Sequence, residues 1–361
     1  VDDRTEYKPL TFKGRGTASN AVGRFEQLGR KMYDDGWGSL DEEPPPLRTE
    51  VTIDASRTII TYNESPDIPF DRSINAYRGC EHGCVYCFAR PTHAYLGFSP
   101  GLDFESRLFV KPDAAQLLRQ ELAHPKYRCA PIALGTDTDP YQPIERKYRV
   151  TRQILEVLAE CRHPVTIVTK SAMIERDLDI LAPMAEQGLA HAAISVTTLD
   201  RDLARRMEPR AAAPQRRLET IAKLAQASIP VAVMTAPIIP ALNDSEMESI
   251  LEAAKQAGAT SAGYVLLRLP LELAGLFEEW LQLHATLKAE HVMSLLRQSR
   301  GGKEYDAAFH RRMRGNGPFA EMIGQRFRLA VGRLGLSGRT KLDTTRFQPP
   351  KKAGPEQIAL F

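Results

Sequence analysis

The sequence predicts an α/β fold: a partial, TIM-like (β/α)6 barrel with an irregular N-terminal arm and a small basic helical C-terminal appendage. Two observations carry that expectation. From about residue 73, six short apolar segments alternate with helical patterns, and such alternation implies right-handed βαβ crossovers and a parallel sheet. The apolar segments are rich in Val, Ile and Ala, as strands are when helices cover them. An open doubly wound sheet fits the same rhythm, and in either architecture the strand C-termini line the site. A chain of 361 residues, 43% hydrophobic and 26% charged, is long enough for one large barrel or two average domains.

Taken in order, residues 1–50 lack sustained periodicity, hold Gly14-Arg15-Gly16 and Gly36-Trp37-Gly38, and reach Pro44-Pro45-Pro46. They read as an irregular arm ending in a stiff spacer. The barrel is assigned to 51–297, with 51–62 a strand or hairpin leading into the core. Candidate strands are Ile74–Arg78, Ile132–Thr136, Val165–Lys170, Ala192–Thr197, Val231–Ala236 and Gly263–Arg268. Helices are expected at about 113–123, 147–161, 175–187, 214–227, 244–257 and 275–297. Residues 298–347 form the basic appendage, with a helix over Phe319–Leu334, and 348–361 form an extended tail beginning Gln-Pro-Pro-Lys-Lys.

No run approaches the roughly 18 apolar residues of a membrane span, and the start, Val-Asp-Asp-Arg-Thr-Glu, does not read as a signal peptide. Three of the five cysteines cluster, which speaks against a secreted disulfide framework and for a reducing, cytoplasmic location without a membrane partner. Neither a Walker A lysine loop nor a G-x-G-x-x-G is present. The net charge of +3 is uneven: residues 297–352 hold 14 Lys or Arg against four acids, a local +10 that leaves the remainder at −7. A basic module on an acidic body suits a polyanion such as DNA; a solvated, arginine-rich helical surface is the plain alternative.

Cys80, Cys84 and Cys87 lie in Arg-Gly-Cys-Glu-His-Gly-Cys-Val-Tyr-Cys, just past the first barrel strand. This C-x3-C-x2-C spacing puts three thiolates on one tight loop. A cubane iron–sulfur cluster has four irons, so three cysteine ligands leave one iron open for a substrate or cofactor. Gly79 and Gly83 let the loop curl so that backbone amides point inward. The competing reading is a zinc site completed by His82 or His93. Cys129 and Cys161 read as packing residues.

With aromatic Tyr86 before the last cysteine, this motif resembles the radical S-adenosylmethionine superfamily, over roughly residues 73–297. The resemblance implies a 4Fe-4S cluster whose open iron is chelated by the amino and carboxylate groups of S-adenosylmethionine. It also implies a 5′-deoxyadenosyl radical released on reduction, and an electron donor of the flavodoxin or ferredoxin type. Hydroxyls and carboxylates at the second strand end, Thr136 and Asp137 among them, suit an ammonium group. That stretch, with the cysteine loop, is similar to the spore photoproduct lyase branch, which implies that Lys170 holds the cofactor carboxylate and Ser195 the ribose. Thr197 shares a strand face with Ser195. Ala236, in the apolar turn ending the fifth strand, and Tyr86 are expected to flank adenine. Arg268, ending the sixth strand, is expected to face substrate, and Tyr141 to line the site or relay a hydrogen atom. The branch carries a hydrogen-donating cysteine where this chain has Thr136 or Gly135, which sets the expected reaction apart from thymine-photoproduct reversal. The arm motif around Lys13-Gly14-Arg15-Gly16, with Ala89-Arg90-Pro91 and Asp103-Phe104-Glu105, resembles an uncharacterised bacterial group of that branch.

The last residues, Gln357-Ile358-Ala359-Leu360-Phe361, resemble the Gln-x-x-Leu-Phe peptide with which polymerases and repair proteins dock on the bacterial sliding clamp. The expectation is therefore a radical enzyme acting on DNA or a nucleobase. The alternatives are a radical enzyme acting on RNA, a peptide or a metabolite, and a non-catalytic zinc nucleic-acid-binding module.

Overall fold

The computed structural model describes residues 12–26, 47–338 and 340–350. Among the described residues ten strands form two sheets: β1 (Glu50–Ile53), β2 (Ile60–Tyr62), β3 (Arg72–Ile74), β4 (Tyr77–Arg78), β5 (Arg107–Val110), β6 (Ile132–Leu134), β7 (Val165–Thr169), β8 (Ala190–Ser195), β9 (Val231–Ile238) and β10 (Ser261–Leu266). The larger sheet runs β10-β9-β8-β7-β6-β3-β2. Its six strands from β10 to β3 are all parallel, and β2 lies antiparallel on the β3 edge. β10 and β2 do not pair with each other, so the (β/α)6 barrel is partial and open on one side.

Helices cover the outer face for the reason the periodicity gave. In Val150–Glu160, Val150, Ile154, Leu155, Val157 and Leu158 are buried along one stripe. Their partners include Val165 and Ile167 of β7 and Ile194 of β8 in the main core. Each such side chain contributes about 1.5–3 kcal/mol on burial.

Three local expectations differ from the structure. Residues 51–62 hold two strands in different sheets rather than a hairpin, since β1 pairs in parallel with β5 and β2 with β3. The segment Ile74–Arg78 is broken. The Asn75 side chain turns across to Thr136 Oγ1 (3.1 Å) and accepts from the Asp137 N–H (3.0 Å), and β4 leaves the barrel to pair with β5. The helix expected over 275–297 is two, Leu273–His284 and Ala289–Gln298. At the break Thr286 Oγ1 donates to the Gln282 carbonyl (2.6 Å), the acceptor that a continuing helix would reserve for the Thr286 N–H.

The C-terminal helix spans Gly317–Leu334 and buries Ala320, Ile323, Phe327 and Ala330 in the main core, with Phe327 4.6 Å from the ring of Tyr264 on β10. Its arginines meet acids on helix Met247–Gln256: Arg326 with Glu248 and Arg333 with Glu252, each at 2.6 Å. Between the two C-terminal helices a strap crosses the open side of the barrel. The Leu266 N–H of β10 donates to the Met313 carbonyl (2.9 Å), while Arg312 Nε meets Asp67, in the β2–β3 turn, at 2.5 Å.

Candidate active site

Backbone hydrogen bonds hold the cysteine loop at the strand C-termini. The Cys80 N–H donates to Phe104 O (2.9 Å), Val85 N–H to Met207 O (3.0 Å) and Cys87 N–H to Cys84 O (3.2 Å). Gly79 and Gly83 have φ of +74° and +68°. A Cβ would stand 2.8 Å from Phe104 O at Gly79 and 2.7 Å from Glu105 Oε2 at Gly83, so both positions require glycine. Thr138 Oγ1 (2.7 Å) and Gln142 Nε2 (3.2 Å) grip the Gly79 carbonyl from the β6 side.

Beneath the loop lies a buried ion pair. Arg90 Nη2 meets Glu105 Oε1 at 2.5 Å, and its other nitrogens donate to the carbonyls of Cys84, Pro100 and Gly101. Glu105 also accepts the Gly16 N–H (2.8 Å), the Thr17 N–H (3.0 Å) and the Thr17 hydroxyl (3.0 Å). The described part of the arm is therefore fastened across the cysteine loop.

The strand ends bring most of the expected residues to one rim. Lys170 Nζ donates to Ser195 Oγ (3.0 Å) and lies 5.6 Å from the centre of the Tyr86 ring. Ser195 Oγ in turn donates to the Ala236 carbonyl (3.2 Å). The Tyr86 hydroxyl donates to buried Glu208, which also accepts from Thr197 Oγ1 (2.6 Å) and pairs with buried Arg217. Since both hydroxyl hydrogens go to Glu208, Tyr86 and Thr197 have only lone pairs left for a ligand. Asp139 organises the next sector: it accepts the Lys170 N–H (2.8 Å) and Thr169 Oγ1 (2.7 Å) and faces His82 Nδ1 at 3.3 Å.

Charge follows placement. Burial raises the pKa of all three thiols, that of Cys80 well above its ordinary value; Lys170 opposes this at Cys84, and Arg90 and Lys170 at Cys87. A cationic metal centre is what would hold these sulfurs as thiolates. Burial also pushes Asp139 up, but His82 and the donors on its oxygens win and bring it to about 2. At Asp137 burial wins over Lys111 and Arg78, raising it to about 6.

The donor set fits a cluster better than a single ion. Among the described residues no three His, Cys, Asp or Glu side chains converge on an ion-sized point. His82 is turned to Asp139, and His93 Nε2 lies 2.9 Å from the Arg107 carbonyl. Cys80, Cys84 and Cys87 would hold the iron, while Lys170, Ser195, Thr197, Tyr86 and the Ala236 carbonyl stand together where a zwitterionic nucleoside ligand needs them.

Of the other expected residues, Tyr141 lies apart from this group, while Arg268 stands beside the cysteine loop. Tyr141 is fully buried in the main core, its ring 5.9 Å from Arg176. Arg268 stacks on Phe88, 4.4 Å from the ring centre. Glu208, Arg217 and Asp139 carry no role in the sequence reading, which names His82 as a possible zinc ligand and Arg90 and Glu105 within the motifs of the resemblance. Burial of paired charges is the signal that marks them, and it is visible only after folding. Residues 357–361 lie outside the described residues.

The chain is 41% identical over 216 residues to uncharacterized proteins of Mycobacterium bovis and Mycobacterium tuberculosis, covering 59% of this chain and 64% of theirs. It therefore spans just under two thirds of those relatives. Among solved structures, a spore photoproduct lyase mutant superposes with a TM-score of 0.57 at 14% identity, covering 81% of this chain and 82% of that one. The same enzyme complexed with dinucleoside spore photoproduct gives 0.55 at 14% identity, with 79% and 78% covered. These likenesses establish the fold. A further variant of that enzyme holds S-adenosylmethionine, at a TM-score of 0.56 and 13% identity over 79% of this chain and 78% of that one. The family model described as "Radical SAM superfamily" matches residues 74–254, half of the chain and the whole run from β3 to helix Met247–Gln256. The chain belongs to the radical S-adenosylmethionine superfamily, whose cofactors are a 4Fe-4S cluster and S-adenosylmethionine.

Proposed function

We propose that this protein is a radical S-adenosylmethionine enzyme acting on DNA or a nucleobase, in a lyase-like or repair-like reaction in the cytoplasm. The observation that carries the radical chemistry is the meeting of three thiols, those of Cys80 and Cys84 buried and that of Cys87 half-buried, with Lys170, Ser195, Thr197 and Tyr86 at the strand C-termini. A 4Fe-4S cluster held by Cys80, Cys84 and Cys87 would supply one-electron reduction to S-adenosylmethionine bound beside it.

The protein's own groups do the positioning. Lys170 supplies the cation for the cofactor carboxylate. Thr197 and Tyr86, their hydrogens committed to Glu208, accept from ribose hydroxyls. Asp137, or Thr136 beside it, receives the ammonium group. Val85, Leu267, Ile239 and Leu273, packed as a satellite core with Cys84 and Tyr86, keep water from the thiols. Among the described residues, the other cysteines are not at strand C-termini: Cys161 ends the helix before β7 and Cys129 precedes β6. Thiol-mediated hydrogen return, the task of the cysteine in the lyase branch, therefore has no obvious donor here.

The DNA target is supported by the basic residues 297–352 and by the fold shared with an enzyme captured on a dinucleoside lesion. The decisive experiment incubates the reconstituted enzyme, dithionite and S-adenosylmethionine with deuterated damaged DNA. Deuterium in 5′-deoxyadenosine is the expected result. Its absence, with cleavage of S-adenosylmethionine intact, moves the target elsewhere; absence of cleavage removes the radical reading.

One observation favours a second reading, with RNA, a peptide or a metabolite as substrate. Of the basic residues in 297–352, Arg297, Arg311, Arg312, Arg326, Arg333 and Arg346 are ion-paired within the chain, so the free charge is smaller than the sequence implies. Duplex DNA binding without salt dependence favours that reading. Delivery by a sliding clamp through Gln357–Phe361, and reduction by a flavodoxin or ferredoxin, complete the proposed setting.

A further inference from the structure

Beside the cysteine loop sits a guanidinium without a counter-ion. Arg268 follows β10 and crosses to the loop, where it lies over Phe88, the residue after Cys87. Its Nη1 meets only Met313 Sδ, a weak acceptor, at 2.9 Å, and its buried Nε has no hydrogen-bond partner. Arg268 makes no ion pair with a carboxylate among the described residues. The acid within its electrostatic reach, Asp67, is taken up by Arg312 Nε (2.5 Å) and the His310 N–H (2.6 Å). The neighbouring Arg300 is spent on the carbonyls of Leu266, Leu267, Arg311 and Arg312.

A buried N–H donor left without an acceptor is destabilising unless a ligand satisfies it. A guanidinium presents its donors in one plane, which suits a phosphate or carboxylate oxygen pair. Two further features choose between these anions. Phe88 and Phe309 are half exposed at 45% and 52%, leaving aromatic faces for bases to stack on. The strap exposes Lys303 and Arg314, and Arg311 remains on its surface. The cofactor carboxylate, by contrast, already has Lys170 on the β7–β8 rim.

We propose that Arg268, seated on Phe88, binds a backbone phosphate of a polynucleotide and holds one nucleotide against the cysteine loop. The site lies on the open side of the barrel, beside the strap that bridges it. This rests on the proposed radical function and names the substrate class for it.

The test uses the full chain, reconstituted without oxygen, and a fluorescent oligodeoxynucleotide in single- and double-stranded form. Anisotropy across a salt series gives affinity and salt slope, and equilibrium dialysis gives the affinity for S-adenosylmethionine. R268M is expected to weaken oligonucleotide binding about tenfold and to lower the salt slope by about one, with cofactor affinity held. R268K restores the slope without the full affinity, and F88L weakens binding by about threefold with the slope unchanged. Thermal melting and iron content confirm that each variant is folded and loaded. Loss of cofactor affinity with oligonucleotide binding intact assigns Arg268 to the cofactor carboxylate and overturns the proposal, as does a variant indistinguishable from wild type. Wild type that cleaves S-adenosylmethionine but binds no oligonucleotide overturns the phosphate site alone. Binding through Arg268 without cleavage supports the site and overturns the radical reading.

Discussion

Glu105 coordinates nothing, yet it fastens the arm, Arg90 and the back of the cysteine loop at once. Removing its carboxylate strands the Arg90 charge in a dry interior, which costs about 3–5 kcal/mol. E105A should therefore lower the urea midpoint and recover little iron on reconstitution; wild-type values for both would remove this role. Lys170 acts on the cofactor instead. K170A should raise the Kd for S-adenosylmethionine by about tenfold or more, the worth of a charged hydrogen bond, with iron content retained. An unchanged Kd would place the carboxylate elsewhere. Lys170 and Ser195 were legible in the sequence because a strand end fixes which residues reach the rim. Glu208 was not, because its partners Tyr86 and Thr197 lie 122 and 11 residues away and nothing in the local pattern joins them.

Among the elements, helix Gly317–Leu334 shows how charge on paper differs from charge in place. The sequence marks it as basic, but one face is core and several of its arginines face acids. F327A removes a buried ring that packs on Tyr264 and should destabilise the whole barrel by about 3–5 kcal/mol in a single transition. A separate low-temperature transition with the barrel unaffected would instead mark the helix as an independent unit. The strand and helix rhythm was legible because period and apolarity are local. The break at Asn75 and the side sheet β1-β5-β4 were not, because a side chain bridging to β6 and a pairing across more than fifty residues set them.

At the element preceding β7, His163 is buried between Tyr127 and Phe347, and burial lowers its pKa to about 4. The folded state thus binds fewer protons than the unfolded chain between pH 6.5 and 4. Its contribution to stability is complete above pH 6.5 and is lost as the pH falls towards 4. H163Q should flatten that limb of the stability–pH curve measured by urea titration; an equally steep limb would assign the acid sensitivity to other groups.

For the molecule as a whole, the open seam between β10 and β2 decides access. Among the described residues the strap reaches the turn at Asp67 across it, whereas the opposite wall is continuous parallel sheet. The tail offers a second whole-molecule test. A chain ending at Glu356 should lose at least about tenfold in affinity for a bacterial sliding clamp, as read by surface plasmon resonance. Equal affinity would remove the docking role of Gln357–Phe361.

The arm adds a consequence for mutational tolerance. At Gly16 a Cβ would stand 1.7 Å from the Gly83 carbonyl, inside the loop that carries the cysteines. A methyl group there cannot be absorbed by a flexible side chain, because the obstacle is backbone. In a saturation screen scored on iron content, the irregular stretch around residue 16 should therefore be as intolerant as positions 80, 84 and 87. Sites under the strictest sequence constraint need lie neither in regular structure nor on the metal.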